Sequence, residues 1–267
     1  MVFTLGKDWQ VEPIAGDTGT AFMGTNKEEK LFLKQNTSPF LAALAIEEIT
    51  PRLVWAKRLV SGDTITAQEW KNGRSLHKSE MTQKSVAELL HRIHHLPVLK
   101  KILGQIGGKT VTPFELLNQY FRGLNPQLRS HPLLKDVANR LRSKQPNFAR
   151  SNYEVCHGDL NHKNWLLSDH NQLYLVDWES ALIADPALDL SMLMYHYVPR
   201  ENWQEWLTSY YALGGEELPP DLEARVHWYV LMRLLLNVKD AYERGRFHEM
   251  NQDIIKLSQV LNEQSLL

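Results

Sequence analysis

The chain has 267 residues, 43% of them hydrophobic and 23% charged, which supplies a substantial core and excludes a mainly disordered protein. With 30 Lys and Arg against 31 Asp and Glu the formal charge is -1, so overall charge offers no attraction to a nucleic-acid backbone. The single cysteine, Cys156, excludes an intramolecular disulfide or a multi-thiolate metal site; with no signal-like start and no apolar run of membrane-spanning length, a cytoplasmic protein is expected.

In chain order, short apolar segments at residues 10–14, 20–23 and 31–34 read as strands, with a turn supplied by Gly16, Asp17, Thr18 and Gly19. After Pro39 the stretch FLAALAIEEI combines apolar residues with strong helix formers and predicts a packed helix. A further strand, TITAQEW, ends at Trp70, and the polar KNGRS after it reads as a hinge. The pattern then changes. MTQKSVAELLHRIHHL, FELLNQYF and HPLLKDVANRLRS are spaced as helices, and short strands are expected at 153–156, 165–167 and 173–176. Helical spacing resumes beyond Asp185 and continues to the end. The expected fold class is α+β, a protein-kinase-like bilobal fold with a nucleotide-binding lobe over 1–70 and a catalytic and acceptor-binding lobe over 71–267.

The strongest local signal is HGDLNHKN, His157 to Asn164, followed by LYLVDWE ending at Glu179. Asp159 follows His157 by two residues, Asn164 follows Asp159 by five, and Asp177 follows Asn164 by thirteen. The first two spacings reproduce the H-x-D-x-x-x-x-N order of kinase catalytic loops. Phosphoryl transfer needs one carboxylate facing the acceptor hydroxyl, here Asp159, and separate oxygen donors for a divalent cation beside the phosphates, here Asn164 and Asp177. The neutral Asn164 limits like-charge crowding. Read singly, each residue is an ordinary turn or strand-end residue; the joint spacing carries the chemistry.

These segments, with DPALDL at 185–190, closely resemble the choline kinase and aminoglycoside phosphotransferase superfamily. The resemblance implies ATP and Mg²⁺ as cofactors and a small-molecule hydroxyl acceptor. It assigns His157 and Asp159 to the catalytic loop, Asn164 and Asp177 to the metal, and Asp189 to support of the loop. Lys34, at the end of LFLK, is then placed to meet ATP phosphates, with Glu47 on the following helix, or the adjacent Glu48 if the helix phase is shifted, to hold its ammonium. Gly16 and Gly19 can cover phosphates with backbone groups or form only a hairpin turn. Gln68, Glu69 and Trp70 fall where the resembling kinases connect their lobes and bind adenine.

Trp203, Trp206 and Trp228 recur at helical intervals with Tyr210, Tyr211 and Tyr229, which suits core packing, and a subset of such rings can instead face an acceptor. Glu179 and His196 are polar candidates for the same pocket. Across most of the chain, PIAGDTGTAFMG, LFLKQNTSPFLA, AQEW, VCHGDLNHKNW, YLVDWESA and NWQEWLTSYY look similar to a Gram-positive branch linked to cell-cycle control. That similarity implies a nucleoside or ribose-type acceptor, a cell-division protein partner and recruitment to the division site. Choline or ethanolamine, then an aminoglycoside, are the alternative acceptors, and a noncatalytic interaction module is the alternative of a different class.

Overall fold

The computed structural model describes residues 8–14 and 19–264. In chain order the elements are β1 (Gln10–Pro13), β2 (Ala21–Thr25), β3 (Lys30–Gln35), α1 (Phe40–Ile46), β4 (Leu53–Arg58), β5 (Thr64–Glu69), β6 (Gly73–Ser75), α2 (Lys84–His94), α3 (Pro97–Gln105) and α4 (Pro113–Phe121). There follow α5 (Pro126–Ser130), α6 (Pro132–Ser143), β7 (Glu154–Cys156), β8 (Trp165–Ser168), β9 (Leu173–Leu175), β10 (Leu182–Ala184), α7 (Ala187–Tyr197), α8 (Trp203–Ala212), α9 (Leu222–Glu243) and α10 (Phe247–Gln264). The fold is α+β, with its strands mostly early and a larger helical region late.

The chain divides into two compact units, each built from two stretches of sequence. One takes the described residues up to Gly108 together with Asp159–Ala181; the other takes Lys109–Gly158 and the described residues from Leu182 onward. Residue 70 marks the change of sequence pattern, and this division into units is a separate one.

In the first unit an antiparallel sheet runs β1-β2-β3-β5-β4. Alternation decides its faces: Leu31 and Leu33 on β3 pack with Phe22 and Ala67 in a core against which Trp9, Val11, Val54 and Trp55 lie. Phe32 and Lys34 therefore occupy the opposite face. A second sheet, β6-β8-β9, takes up the last three residues of KNGRS, 73–75, as a strand. Gly73 pairs with Ser168, and a Cβ at Gly73 would lie 2.2 Å from the Leu167 carbonyl oxygen, so only glycine fits the approach.

In the second unit β10 pairs antiparallel with β7, and the long helix α9 packs against α4, α6, α7 and α10. Apolar residues lie on nearly all sides of α9, as its central place requires. Among the described residues no helix is long and apolar enough to cross a membrane.

Candidate functional site

The loop that follows β7 leaves the second unit at Gly158 and enters the first at Asp159. Its departure is fixed by Asp189, fully buried on the first turn of α7. One Asp189 oxygen accepts from the His157 amide at 2.7 Å, the other from the Gly158 amide at 2.9 Å. Gly158 takes φ +79°, a left-handed conformation that disfavours a side chain, and Arg233 Nη1 on α9 donates to its carbonyl at 3.2 Å. His157 itself is fully buried. Burial, with the charges of Asp189 and Asp185, pushes the neighbouring Cys156 thiol well above its usual range, so it is no nucleophile.

In the first unit, the Asn164 amide nitrogen donates to the Asp159 backbone oxygen at 3.0 Å and to its carboxylate at 3.1 Å. That commitment uses the amide N–H groups and leaves the carbonyl oxygen as the remaining polar atom of the Asn164 side chain. The chain returns through β8 and β9, and the Val176 amide donates to the Asn164 backbone carbonyl at 2.8 Å, bringing the Asp177 segment beside Asn164. Asp177 has φ +66° and ψ +61°, an uncommon conformation for a residue with a side chain. The turn is pinned on either side: Trp178 is buried, gives its indole N–H to Leu175 O at 2.8 Å, and meets Phe40 edge-on at 5.9 Å.

Lys34 reaches this turn. Its ammonium lies 2.8 Å from an Asp177 oxygen and 2.7 Å from Glu179. Burial disfavours the charge, but hydrogen bonds and attraction from the two carboxylates outweigh it, raising the Lys34 pKa above the ordinary lysine value. Glu179, expected at the acceptor pocket, contacts Lys34, because the turn after Asp177 carries it to the β3 face. One expectation is corrected here. Glu47 makes no ion pair among the described residues: α1 ends at Ile46, and Glu48 turns the chain with φ +54° before the helix can present Glu47 to Lys34.

The remaining nucleotide candidates fall as follows. Gly16 lies outside the described residues; Gly19 is exposed with φ +62° and nothing near where a Cβ would stand. Gln68 is buried in β5 and gives its side-chain amide to Pro51 O at 2.7 Å. The Glu69 and Trp70 amides already donate to Arg52 O and Lys30 O, so those N–H groups are committed within the chain. Lys30 Nζ sits 4.1 Å over the Trp70 ring, a packing contact on the sheet.

Of the expected acceptor residues, Trp203 and Trp228 are corrected to core packing. They are 5% and 4% exposed, and their indole N–H groups are consumed by Val198 O and Leu141 O. Trp206 stacks on Tyr210 at 5.8 Å. His196 alone of the set lines a cavity in the second unit, between α7, α9 and α10, with Tyr195, Arg233, Asn237, Asp253 and Lys256. The last four are polar residues on helices whose apolar periodicity hid them; the i, i+4 spacing of Arg233 and Asn237 is the one signal that marks a shared polar face.

The model of the APH phosphotransferase enzyme family matches residues 22–229 of this chain. The chain belongs to that family. Solved structures share its fold at low identity. Choline kinase LicA from Streptococcus pneumoniae is 16% identical over 96% of this chain and 94% of its own, with a TM-score of 0.65. A putative aminoglycoside phosphotransferase from Ralstonia eutropha JMP134 is 12% identical over 96% and 92%, with a TM-score of 0.74. APH(2")-IIia, in a complex with GDP and kanamycin, is 17% identical over 97% and 95%, with a TM-score of 0.68. This phosphotransferase thus shares a kinase-like fold with them. The Asp177 carboxylate and the Asn164 side-chain carbonyl are hard oxygen donors on segments joined by the Val176–Asn164 backbone bond, donor types that fit a divalent cation such as Mg²⁺.

Proposed function

We propose that the enzyme transfers the γ-phosphoryl group of ATP to the primary sugar hydroxyl of a nucleoside or ribose-type acceptor. The observation that carries phosphotransfer is the gathering of Lys34, Asp159, Asn164 and Asp177 in one compact unit, tied by the Asn164–Asp159 and Lys34–Asp177 contacts. In this reading Asp159 orients the acceptor hydroxyl and takes its proton as the oxygen attacks phosphorus. Lys34 meets the phosphates, and Asn164 and Asp177 would hold Mg²⁺, which supplies charge neutralisation between phosphate groups. Residues 1–70 are the nucleotide-binding lobe in this account, and the acceptor belongs to the later helices.

The cavity between α7, α9 and α10 has Arg233 and Lys256 against one carboxylate, Asp253, which Lys256 already holds at 2.7 Å. A quaternary ammonium or polyamine needs several aromatic faces or unpaired carboxylates, whereas the aromatic ring here is that of Tyr195. The nucleoside or ribose-type reading rests on the sequence resemblance; this small cavity bears on it only through its charge and through Arg233, which also holds the carbonyl of Gly158, one residue before Asp159. The names of the solved relatives favour the second reading, choline, ethanolamine or an aminoglycoside. The sequence resemblance adds a cell-division partner at the division site, tested by imaging the tagged protein in dividing cells.

The decisive experiment measures ADP or GDP release from ATP or GTP with Mg²⁺, separately with nucleosides, ribose, choline, ethanolamine and kanamycin. Acceptor-dependent turnover on a nucleoside or ribose is expected. Turnover on choline with none on either sugar class would reject the acceptor while leaving the phosphotransferase chemistry in place.

A further inference from the structure

We propose that Glu179, and not the helix residue Glu47, is the positioning residue that anchors Lys34 while the nucleotide is bound. The inference rests on the phosphotransfer reading above and goes beyond it in assigning Glu179 a role in that site.

A lysine stem turns about several bonds, so its ammonium must be tethered if it is to meet a phosphate at a fixed place. Lys34 has two tethers, Asp177 at 2.8 Å and Glu179 at 2.7 Å, and they cannot serve equally. Asp177 stands beside Asn164 as an oxygen donor for the cation, and oxygens committed to a cation hold an ammonium less well. Glu179 remains. Its backbone is fixed by Trp178, which is locked to Leu175 O and against Phe40, so the carboxylate approaches Lys34 from a rigid turn. The Lys34 side chain is only 13% exposed and has little room to seek another partner. The helix that would supply a competing anchor ends one residue short of Glu47, and Glu48 at φ +54° turns the chain there. Thus the lysine and its anchor sit on β3 and on the turn after β9, and α1 takes no part in the pair.

A double-mutant cycle on the full chain tests this, using Lys34→Met, Glu179→Gln and Glu47→Gln, with thermal melts to confirm folding. ATP binding is measured by calorimetry with saturating Mg²⁺, under which Asp177 would be committed to the cation, and turnover is measured against Mg²⁺ concentration. Lys34→Met should weaken ATP binding in the presence of Mg²⁺ about fivefold or more in the parent and less than twofold once Glu179 is Gln, because an untethered lysine contributes little. Glu179→Gln should lower kcat roughly tenfold or more in the parent and less than twofold in the Lys34→Met background, with the Mg²⁺ requirement unchanged. A lysine that contributes more to binding after Glu179→Gln would mean that Glu179 competes with phosphate, and would overturn the anchor. So would a Glu179→Gln effect confined to a higher Mg²⁺ requirement, or Glu47→Gln reproducing the Glu179→Gln pattern. If Lys34→Met alters neither binding nor turnover, the phosphate site itself is wrong and the anchor goes with it; the other failures leave the phosphotransfer reading standing.

Discussion

Two groups of ionic side chains lie in opposite surroundings. In the first unit Lys34 meets Asp177 and Glu179, whose side chains are 48% and 52% exposed. In the second unit Arg225 and Asp185 pair at 2.7 Å with side chains 4% and 0% exposed, and the Arg225 guanidinium lies 4.0 Å over the Phe148 ring. Asp185 also accepts from the Ala187 amide at 2.9 Å, which starts α7, the helix that carries Asp189. In the proposed site a charge that would change partners when a ligand arrives, Asp177, is left within reach of water, where the exchange is inexpensive. Charges that fix the backbone are sealed in, where losing a partner is costly.

The comparison can be broken from either side. The largest effect belongs to the exposed site: Asp159→Asn should lower kcat by about 10²- to 10⁴-fold while leaving ATP affinity nearly unchanged, since the amide keeps the shape but cannot accept the hydroxyl proton. Steady-state kinetics with direct ATP binding would check it; near-parent turnover in a folded variant contradicts the role.

Next comes the buried pair. Burial pushes the Asp185 pKa up, against the pull of Arg225, so Arg225→Met leaves an uncompensated carboxylate inside and should cost about 3–5 kcal/mol in denaturant unfolding. Combining it with Asp185→Leu should recover much of the loss. A single variant as stable as the parent would show that the pair does not hold this region.

His227, also on α9, gives a pH test of the sealed side. Burial, followed by the nearby Arg200 charge, pushes its pKa down from 6.5 to about 4. The unfolded chain takes up the proton as pH falls below 6.5, while the folded chain resists until about 4. Stability is therefore full above 6.5, falls by on the order of 3 kcal/mol between 6.5 and 4, and levels off below. Urea unfolding of the parent and of His227→Gln across this range should differ by that step, and parallel curves would contradict it.

The smallest effect on stability is expected at Asp177. Its left-handed backbone favours glycine, and its ion pair is half-exposed, so Asp177→Gly should leave stability unchanged or raise it by no more than about 1 kcal/mol while impairing Mg²⁺-dependent turnover. A clear fall in the melting temperature would place Asp177 among the structural charges instead.

What the sequence made legible follows from how locally each feature is encoded. The loop from His157 to Asn164 and the return to Asp177 are short-range spacings and could be read directly. Lys34 was readable from its strand, but its partner was not: Ala, Leu and Glu favour helix through Glu47 and Glu48, and the turn that ends α1 is a local exception to propensity. β4 escaped notice because its exposed end, Ala56 to Arg58, shows no alternation, and β10 because it spans only three residues. The aromatic run after residue 200 misled for a physical reason. Trp203 and Trp228 bring a polar N–H that looks suited to a ligand, yet backbone carbonyls consume it in the core. The Arg225–Asp185 pair joins residues forty positions apart and leaves no mark in either local pattern.

The hydrogen bond from the Val176 amide to the Asn164 carbonyl bears on how this enzyme can vary. It closes the base of the β8-β9 hairpin, so the two oxygen donors stand at the stem while Asp169, His170 and Asn171 form the exposed tip. Residues inserted at that tip, or removed from it, would lengthen or shorten the hairpin away from the donors. The thirteen-residue interval is then an accident of hairpin length. Drift and engineering can use the tip as a place for new sequence, a tag or a sensor, without altering the distance between Asn164 and Asp177.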